Sequence, residues 1–583
     1  MLGRLPYRHI IAVDFEFEFG GVDGNRPRPV CMVARELRSG QTWRVWRGEF
    51  GLWPPFPTGP DALFVAFYAS AELGCFRVLG WEMPARILDL FCEFRALTNG
   101  ALPPGGKSSL VGALTYFSLD PMSAQEKFEM VQVILRGGPW SDAEQEAIVD
   151  YCEADVISLG KLLPVMLPRI DLPRALLRGR YMAAAAAMEH AGVPIDVPTW
   201  CRLVAQWDNI KRGLTTTDAA VAFGVFEAGV FRYHLFEKFL ACNGIPWARL
   251  PSGALDLSDD TFRSAAKAYP IIAPLRELRH TLSELRVNAL AVGDDGRNRT
   301  LLSAFRAKTS RNQPSNARYI FGPSVWIRGL IKPPAGMALS YIDWSSQEIG
   351  IAAALSGDEN LKSAYVGGDP YLAFGKQCGR LPPDATKATH SAEREMLKQC
   401  VLGINYAMGE RSLALRIGQP EIVARALLRA HRETYAKFWA WSDAAVDIAM
   451  QGRPLRTVFG WPVHVDPNPN PRSFCNFPMQ ANGAEMLRVA CCLGTERGVE
   501  ICGPAHDAVL ICAPIERLEH DTAIMRDAMA EASRAVLDGF ELRTDAHPVT
   551  HPDRYADARG AVMWSTVMKL LEATETQTMR AAG

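Results

Sequence analysis

The chain has 583 residues, a formal net charge of −1, 48% hydrophobic residues and 22% charged ones. That length is more than one hydrophobic core fills, so two to four domains are expected, and the composition excludes an extensively disordered chain. With almost no net charge, any polyanionic partner must be held by local basic patches rather than by an overall field. The 13 cysteines form no CxxC pair, which points away from a zinc ribbon or a disulfide framework and toward a reducing, cytoplasmic setting. No uncharged apolar run is long enough to cross a membrane or to act as a secretion signal.

In chain order, the segment IIAVDFEFEF alternates as a strand does. Strand side chains alternate with period two, so Asp14 and Glu16 share one face. Two acids on one face repel unless a metal or protons come between them. CMVARELRSGQTWRVWRGEF continues the strand pattern, and helical periodicity then takes over. In YCEADVISL, Tyr151 and Asp155 stand one helical turn apart. Strands alternating with helices over residues 1–170 predict an α/β domain. A proline-punctuated stretch from Pro164 to Pro173 marks its end, and an alanine-rich helix follows that stops at Gly192. Residues 171–300 read mainly as helices, with Leu275, Leu278, Leu282 and Leu285 at helical spacing.

From Arg297 to Lys332 there are eight Lys or Arg residues and no Asp or Glu, a candidate surface for a phosphate backbone. The apolar strand of ALSYIDWSSQEIGIAAAL ends at Asp343, and in GPAHDAVLICAP the pair His506-Asp507 sits at a tight turn before another apolar strand. Two carboxylates brought from different strand ends can share Mg²⁺ ions, which clamp the attacking and leaving oxygens of an in-line phosphoryl displacement. Between them, Arg394, Lys398, Leu402 and Tyr406 recur every four residues and form one helical stripe. Two cations followed by an aromatic face would suit a triphosphate with its base beyond it.

Taken together and in this order, these segments resemble the family A DNA polymerases over about residues 171–560. TSRNQP (Thr309–Pro314) resembles the segment that contacts template and primer, YIDWSSQE resembles motif A, and RxxxKxxxxxxxY resembles motif B. RSFCNFPMQANGAEML resembles the minor-groove helix and AHDAV resembles motif C. The resemblance implies that Asp343 and Asp507 hold two Mg²⁺ ions, while Arg394 and Lys398 meet the incoming triphosphate and Tyr406 lies near the templating base. It implies that Arg311, Arg472, Asn476, Gln480 and His506 hold the primer terminus and the minor groove, and that Glu348 crowds a ribose 2′-OH. Minor-groove acceptors are nearly equivalent on all base pairs, so Arg, Asn and Gln can test pair shape without reading sequence.

Three positions depart from the family pattern. Ala508 stands where motif C has a second acid, Leu402 where an aromatic residue usually meets the incoming sugar, and Trp344 where Tyr is usual. The N-terminal segments resemble the DEDD-type 3′–5′ exonuclease domain, which has a ribonuclease H-like fold. Asp14 and Glu16 match its first motif, Tyr151 and Asp155 its third. In the second motif, Glu72 replaces Asp and Tyr68 replaces Asn, while Asp89 matches a later structural position. This resemblance implies metal at Asp14, Glu16 and Asp155, with up to two Mg²⁺.

The expectation is therefore an α/β multidomain chain. Residues 1–170 form an exonuclease-like domain and 171–300 a thumb-like helical region. Residues 301–583 form an antiparallel-sheet palm with helical fingers at about 359–455. The expected partners are primer-template DNA, deoxynucleoside triphosphates and other replication proteins, with no membrane, in the cytoplasm, either nucleoid-associated or in a phage-infected host. Two alternatives remain. Glu348 argues against a single-subunit RNA polymerase, and retention of Asp343, Asp507, Arg394 and Lys398 argues against an inactive primer-template binding protein.

Overall fold

The alternation that starts at Ile10 becomes β1 (His9–Glu18), the middle strand of a five-stranded sheet in the computed structural model. The structure describes residues 2–18, 23–103, 105–120, 124–216, 223–227, 230–250, 252–284, 287–322, 324–465 and 470–582. Its neighbours are β2 (Arg28–Glu36) and β3 (Thr42–Trp46) on one side, and β4 (Ala62–Ala66) and β5 (Ile87–Asp89) on the other. The β1–β2 pair is antiparallel, whereas β1–β4 and β4–β5 are parallel. Every residue of β4 is buried, as expected of a parallel strand covered on both faces. The helix Asp142–Met166 begins at a capping box in which Ser141 and Glu144 exchange side-chain and backbone bonds. It packs on β1 and β2 and so carries Tyr151 and Asp155 toward Asp14 and Glu16.

The alanine-rich helix runs from Leu172 to Ala191, capped by Asp171 and ended by Gly192 at φ 67°. It packs against the helix Ser70–Leu79 and β5 on the N-terminal side, and against the long helix Pro471–Glu496 on the C-terminal side. A Cβ on Gly179 would lie 2.0 Å from the carbonyl oxygen of Ile87, so this close helix–strand approach requires glycine. Beside it, Arg178 donates to both carboxylate oxygens of Glu93 at 2.6 and 2.7 Å, with both side chains buried.

Helices Tyr233–Cys242, Asp259–Ala268 and Ile272–Glu284 share a small core around Phe236, Phe262 and Leu275. The predicted leucine row divides between two cores: Leu275 joins this one and Leu278 the main one. Leu285 lies outside the described residues.

The C-terminal sheet has four antiparallel strands: β6 (Met337–Trp344), β7 (Ile501–Ala505), β8 (Ala508–Pro514) and β9 (Thr544–Thr550), in the order β7-β8-β6-β9. Helices Leu518–Val536 and Pro471–Glu496 pack together beside it. A layer of helices, Glu359–Val366 through Ala436–Met450, is inserted between β6 and the long helix. The helices Glu421–Thr434 and Ala436–Met450 are separated at Tyr435, whose backbone leaves helical angles at φ −118° and ψ 54°. Its ring is buried against Phe374 and His431, and its hydroxyl bonds Gln377 at 2.8 Å, so packing overrides local helix propensity. The long helix Pro471–Glu496 begins at a proline, which fits the first helical turn, and carries a second, Pro478, inside it. Among the described residues, no helix is long and apolar enough to cross a membrane.

Candidate functional site

Asp343 lies on the central strand β6, opposite Ala508 of β8 on one side and opposite Asp545 of β9 on the other. Asp507 sits in the β7–β8 turn, where His506 adopts a left-handed φ of 59°. The Trp344 amide donates to the Asp507 carbonyl at 3.2 Å, which pins the turn to the end of β6. Burial raises the Asp343 carboxyl above its ordinary range, and the charges of Asp507 and Asp545 raise it further, against a partial pull from His547. Burial also raises Asp507, opposed by its own backbone, His506, Arg311 and Arg559. Oδ1 of Asp343 is buried with no hydrogen-bond partner among the described residues. A buried carboxylate oxygen without a donor, beside like charges, is an unfavourable state that a divalent cation relieves. The donor set, carboxylate oxygens only, suits Mg²⁺.

The helix Ser391–Asn405 buries Leu397, Cys400, Val401 and Ile404 and leaves Arg394, Lys398 and Leu402 half-buried. Arg394 is held by the Asp369 carboxylate and lies 5.4 Å from the Tyr371 ring. Lys398 has no ion pair among the described residues. Tyr406, at the C-terminal cap, is 47% exposed. Its hydroxyl donates to Glu348 at 3.5 Å, and Arg311 approaches the same carboxylate oxygen at 3.6 Å. Burial raises Glu348, while the Arg311 charge works against that rise. Glu348 therefore links the strand-end acids to the basic helix and to the segment carrying Arg311.

Arg472, Asn476 and Gln480 recur every four residues on the helix Pro471–Glu496. Arg472 is exposed in the first turn and Gln480 is half-buried. Asn476 is buried, donates to the Asn405 carbonyl at 3.1 Å, and keeps Oδ1 without a partner among the described residues. Further along, Arg488 is also buried. It donates to the Ser310 carbonyl at 2.8 Å and to the Ser310 hydroxyl at 3.0 Å, pairs with Glu485 at 2.7 Å and lies 4.6 Å from the Phe305 ring. Arg488 thus fastens the loop that presents Arg311. Arg311, Gln313 and His506 line one cleft of 340 Å³.

The basic run Arg297–Lys332 is not one free patch. Arg297 pairs with Glu500 at 2.8 Å, Arg299 with Asp295 at 2.5 Å and Arg328 with Asp557 at 3.0 Å. Arg299 and Arg328 are buried: Arg328 is drawn inward by the distant Asp557, and Arg299, paired locally with Asp295, also donates to the carbonyls of Gly24, His190 and Ala191.

Around the five-stranded sheet, burial pushes Asp14 up to about 8, helped by the Asp155 charge and opposed by Lys127. Glu16 and Glu72 lie well above the ordinary carboxylate range for the same first reason, with Asp14 adding to both. Glu72 is 4% exposed, and its Oε2 has no partner among the described residues. Lys127 donates to Asp155 Oδ2 at 2.5 Å and lies 5.4 Å from the Tyr151 ring. Asp89 plays another part: it accepts from the amides of Tyr68, Ala69 and Phe91 at 2.8–2.9 Å, shaping the turn where Tyr68 has φ 76°.

Sequence reasoning missed Lys127, Arg488, His547 and Asp545. The first two act through partners far away in sequence. The other two alternate on β9, a short polar strand with little apolar signal. Among the described residues, three metal-type ligand atoms come within 4.8 Å of one another at Glu500, Cys502 and Cys512, but Arg297 already holds that carboxylate.

Residues 319–546, which include both strand-end aspartates and the inserted helical layer, match the family model described as DNA polymerase family A. This part of the chain is homologous to that family. Over 220 residues the chain is 27% identical to the thermostable DNA polymerase I of Thermus thermophilus, covering 35% of this chain and 26% of the relative. It is 24% identical over 519 residues to DNA polymerase I of Mycobacterium tuberculosis, covering 82% of this chain and 55% of the relative. The chain therefore spans well under two thirds of the length of these curated relatives. The solved POL domain of Pol1 from M. smegmatis, in complex with DNA primer-template and dNTP, superposes with a TM-score of 0.72 at 17% identity, over 95% of this chain and 96% of that one. The likeness is one of fold, the right-hand arrangement of palm, fingers and thumb.

Proposed function

We propose that this protein is a template-directed DNA polymerase that adds deoxynucleotides to a primer 3′-OH with Mg²⁺, and that its N-terminal acids remove mispaired 3′ ends. The observation that carries the polymerase reading is the meeting of Asp343 and Asp507 at one end of the antiparallel sheet, with an orphaned buried carboxylate oxygen between like charges. Asp343 and Asp507 would hold the Mg²⁺ ions. Bound there, Mg²⁺ supplies charge neutralisation at the transferring phosphoryl group and acidifies the attacking hydroxyl.

The remaining work falls to this chain's own side chains. Lys398, without an ion-pair partner among the described residues, offers three N–H donors to triphosphate oxygens, and Arg394 offers its fork once it exchanges Asp369 for phosphate. Tyr406 presents a half-exposed ring on which a base can stack. Glu348, which lies between Arg311 and Tyr406, would wall the site where a ribose 2′-OH falls. Arg472, Asn476 and Gln480 form a polar row suited to minor-groove acceptors, and Arg311 and His506 suit the primer terminus. Catalysis then comes from alignment and preorganised charge, without a covalent intermediate.

The proofreading part draws support from the orphaned Glu72 oxygen beside Asp14 and Glu16, which suits a cation between them. Lys127 occupies Oδ2 of Asp155 and competes with a cation for that oxygen. Primer extension on a defined template tests the main reading. Wild type extends with deoxynucleotides in Mg²⁺ and Asp507→Asn does not. Wild type that binds primer-template but adds no nucleotide overturns it, and a preference for ribonucleotides favours the RNA polymerase alternative instead.

A further inference from the structure

Asp343 has a neighbour strand on each side. Its cross-strand partner on β8 is Ala508, which leaves that flank uncharged, and its partner on β9 is Asp545. Directly opposed residues of an antiparallel ladder share a face with Cβ atoms about 4.5–5.5 Å apart, and like charges so opposed destabilise the pair. Asp545 is exposed and its side chain accepts from the Ser345 hydroxyl. Among the described residues, no cation pairs with Asp343, Asp507 or Asp545. The sheet thus sets three carboxylates without a direct ion-pair partner at one end, around a buried Asp343 oxygen that lacks a donor. Their oxygens do not converge as tightly as the Glu500, Cys502 and Cys512 trio. A spread arrangement suits two ions about 3.5–4 Å apart better than one ion chelated by three groups.

We propose that Asp545 is the third metal-binding carboxylate of the palm, supplied from the flank of Asp343 opposite Ala508. The proposal rests on the polymerase reading and deepens it. Ala508 then does not mark a weakened site, because the acid has moved from one neighbouring strand to the other. The alternation of β9 places His547 on the same face as Asp545, opposite Tyr341. It stands within electrostatic reach of Asp343 and so completes the polar end of the sheet.

Mn²⁺ binding followed by electron paramagnetic resonance tests this, using the full chain with Asp14→Asn so that the N-terminal acids compete less. Asp545→Asn, a near-isosteric change at an exposed position, is expected to weaken the tightest Mn²⁺ binding at least about tenfold, the effect that even an outer-shell partner has. Adding Ala508→Glu to Asp545→Asn should restore it, and Ser345→Ala should leave it unchanged. Unchanged Mn²⁺ affinity in Asp545→Asn overturns the proposal, as does an equal loss in Ser345→Ala, which would make Asp545 a partner of the serine only. If Asp343→Asn and Asp507→Asn abolish binding while Asp545→Asn does not, the proposal fails and the polymerase reading stands. If the parent chain holds no Mn²⁺ even with primer-template and triphosphate present, both fail.

Discussion

Replacing Arg488 by Met should damage stability and DNA binding by two separable routes. Arg488 is the buried partner of Glu485, and it also donates two hydrogen bonds to Ser310. Removing the cation leaves Glu485 buried, with the Thr457 hydroxyl still donating to it at 2.8 Å. An uncompensated charge of this kind costs about 3–5 kcal/mol, whereas replacing both members of a buried pair by apolar residues is often neutral. Arg488→Met should therefore lower the unfolding midpoint sharply, and Arg488→Met with Glu485→Met should recover most of it. The Ser310 anchor is lost in both variants. A hydrogen bond from a charged donor contributes about 1.5–3 kcal/mol, so if the loop must be held for Arg311 to reach DNA, primer-template affinity should fall about tenfold or more in each. Urea unfolding followed by tryptophan fluorescence and fluorescence anisotropy with labelled primer-template measure the two effects. A double variant that regains DNA affinity along with stability would refute the claim that Arg488 holds the Arg311 loop.

Lys127→Ala should increase Mg²⁺-dependent release of 3′ nucleotides from single-stranded DNA, because it frees Asp155, and Asp14→Ala should abolish that release; no release from any variant with Mg²⁺ or Mn²⁺ would sink the exonuclease reading. Glu348→Ala should relax exclusion of ribonucleotides by about 10–200-fold, the range of a steric change in a fitted pocket, and unchanged ratios of ribo- to deoxynucleotide incorporation would count against the wall assigned to Glu348. Burial lowers His431 to about 3, below its unfolded value of about 6.5. Its contribution to stability is therefore present above pH 6.5 and is lost as the pH falls toward 3, with a slope of at most about 1.4 kcal/mol per pH unit. His431→Gln, which keeps an acceptor for the Trp439 indole N–H that now bonds His431 at 3.1 Å, should flatten the acid limb of the unfolding midpoint against pH; an identical slope would show that other groups control it.

The sequence by itself determined the elements that rest on short-range pattern. Asp14 and Glu16 fall on one strand because alternation is a property of consecutive residues, and Tyr151 and Asp155 fall one turn apart because helical spacing is too. The strand-ending Asp343, the turn at His506-Asp507, the stripe Arg394, Lys398, Leu402 and Tyr406, and the helix stop at Gly192 are legible for the same reason. Only the tertiary structure decided which charges remain free. Arg297 and Arg328 look like part of a surface patch until Glu500 and Asp557 meet them. Lys127 looks like a solvated helix residue until Asp155 lies 2.5 Å away. Asp545 is one acid in a polar segment until the β6–β9 register sets it opposite Asp343, with Ala508 on the other flank. Local periodicity fixes where a side chain stands on its own element, whereas a distant electrostatic partner is set by strand register and helix docking, which bring together residues far apart in sequence.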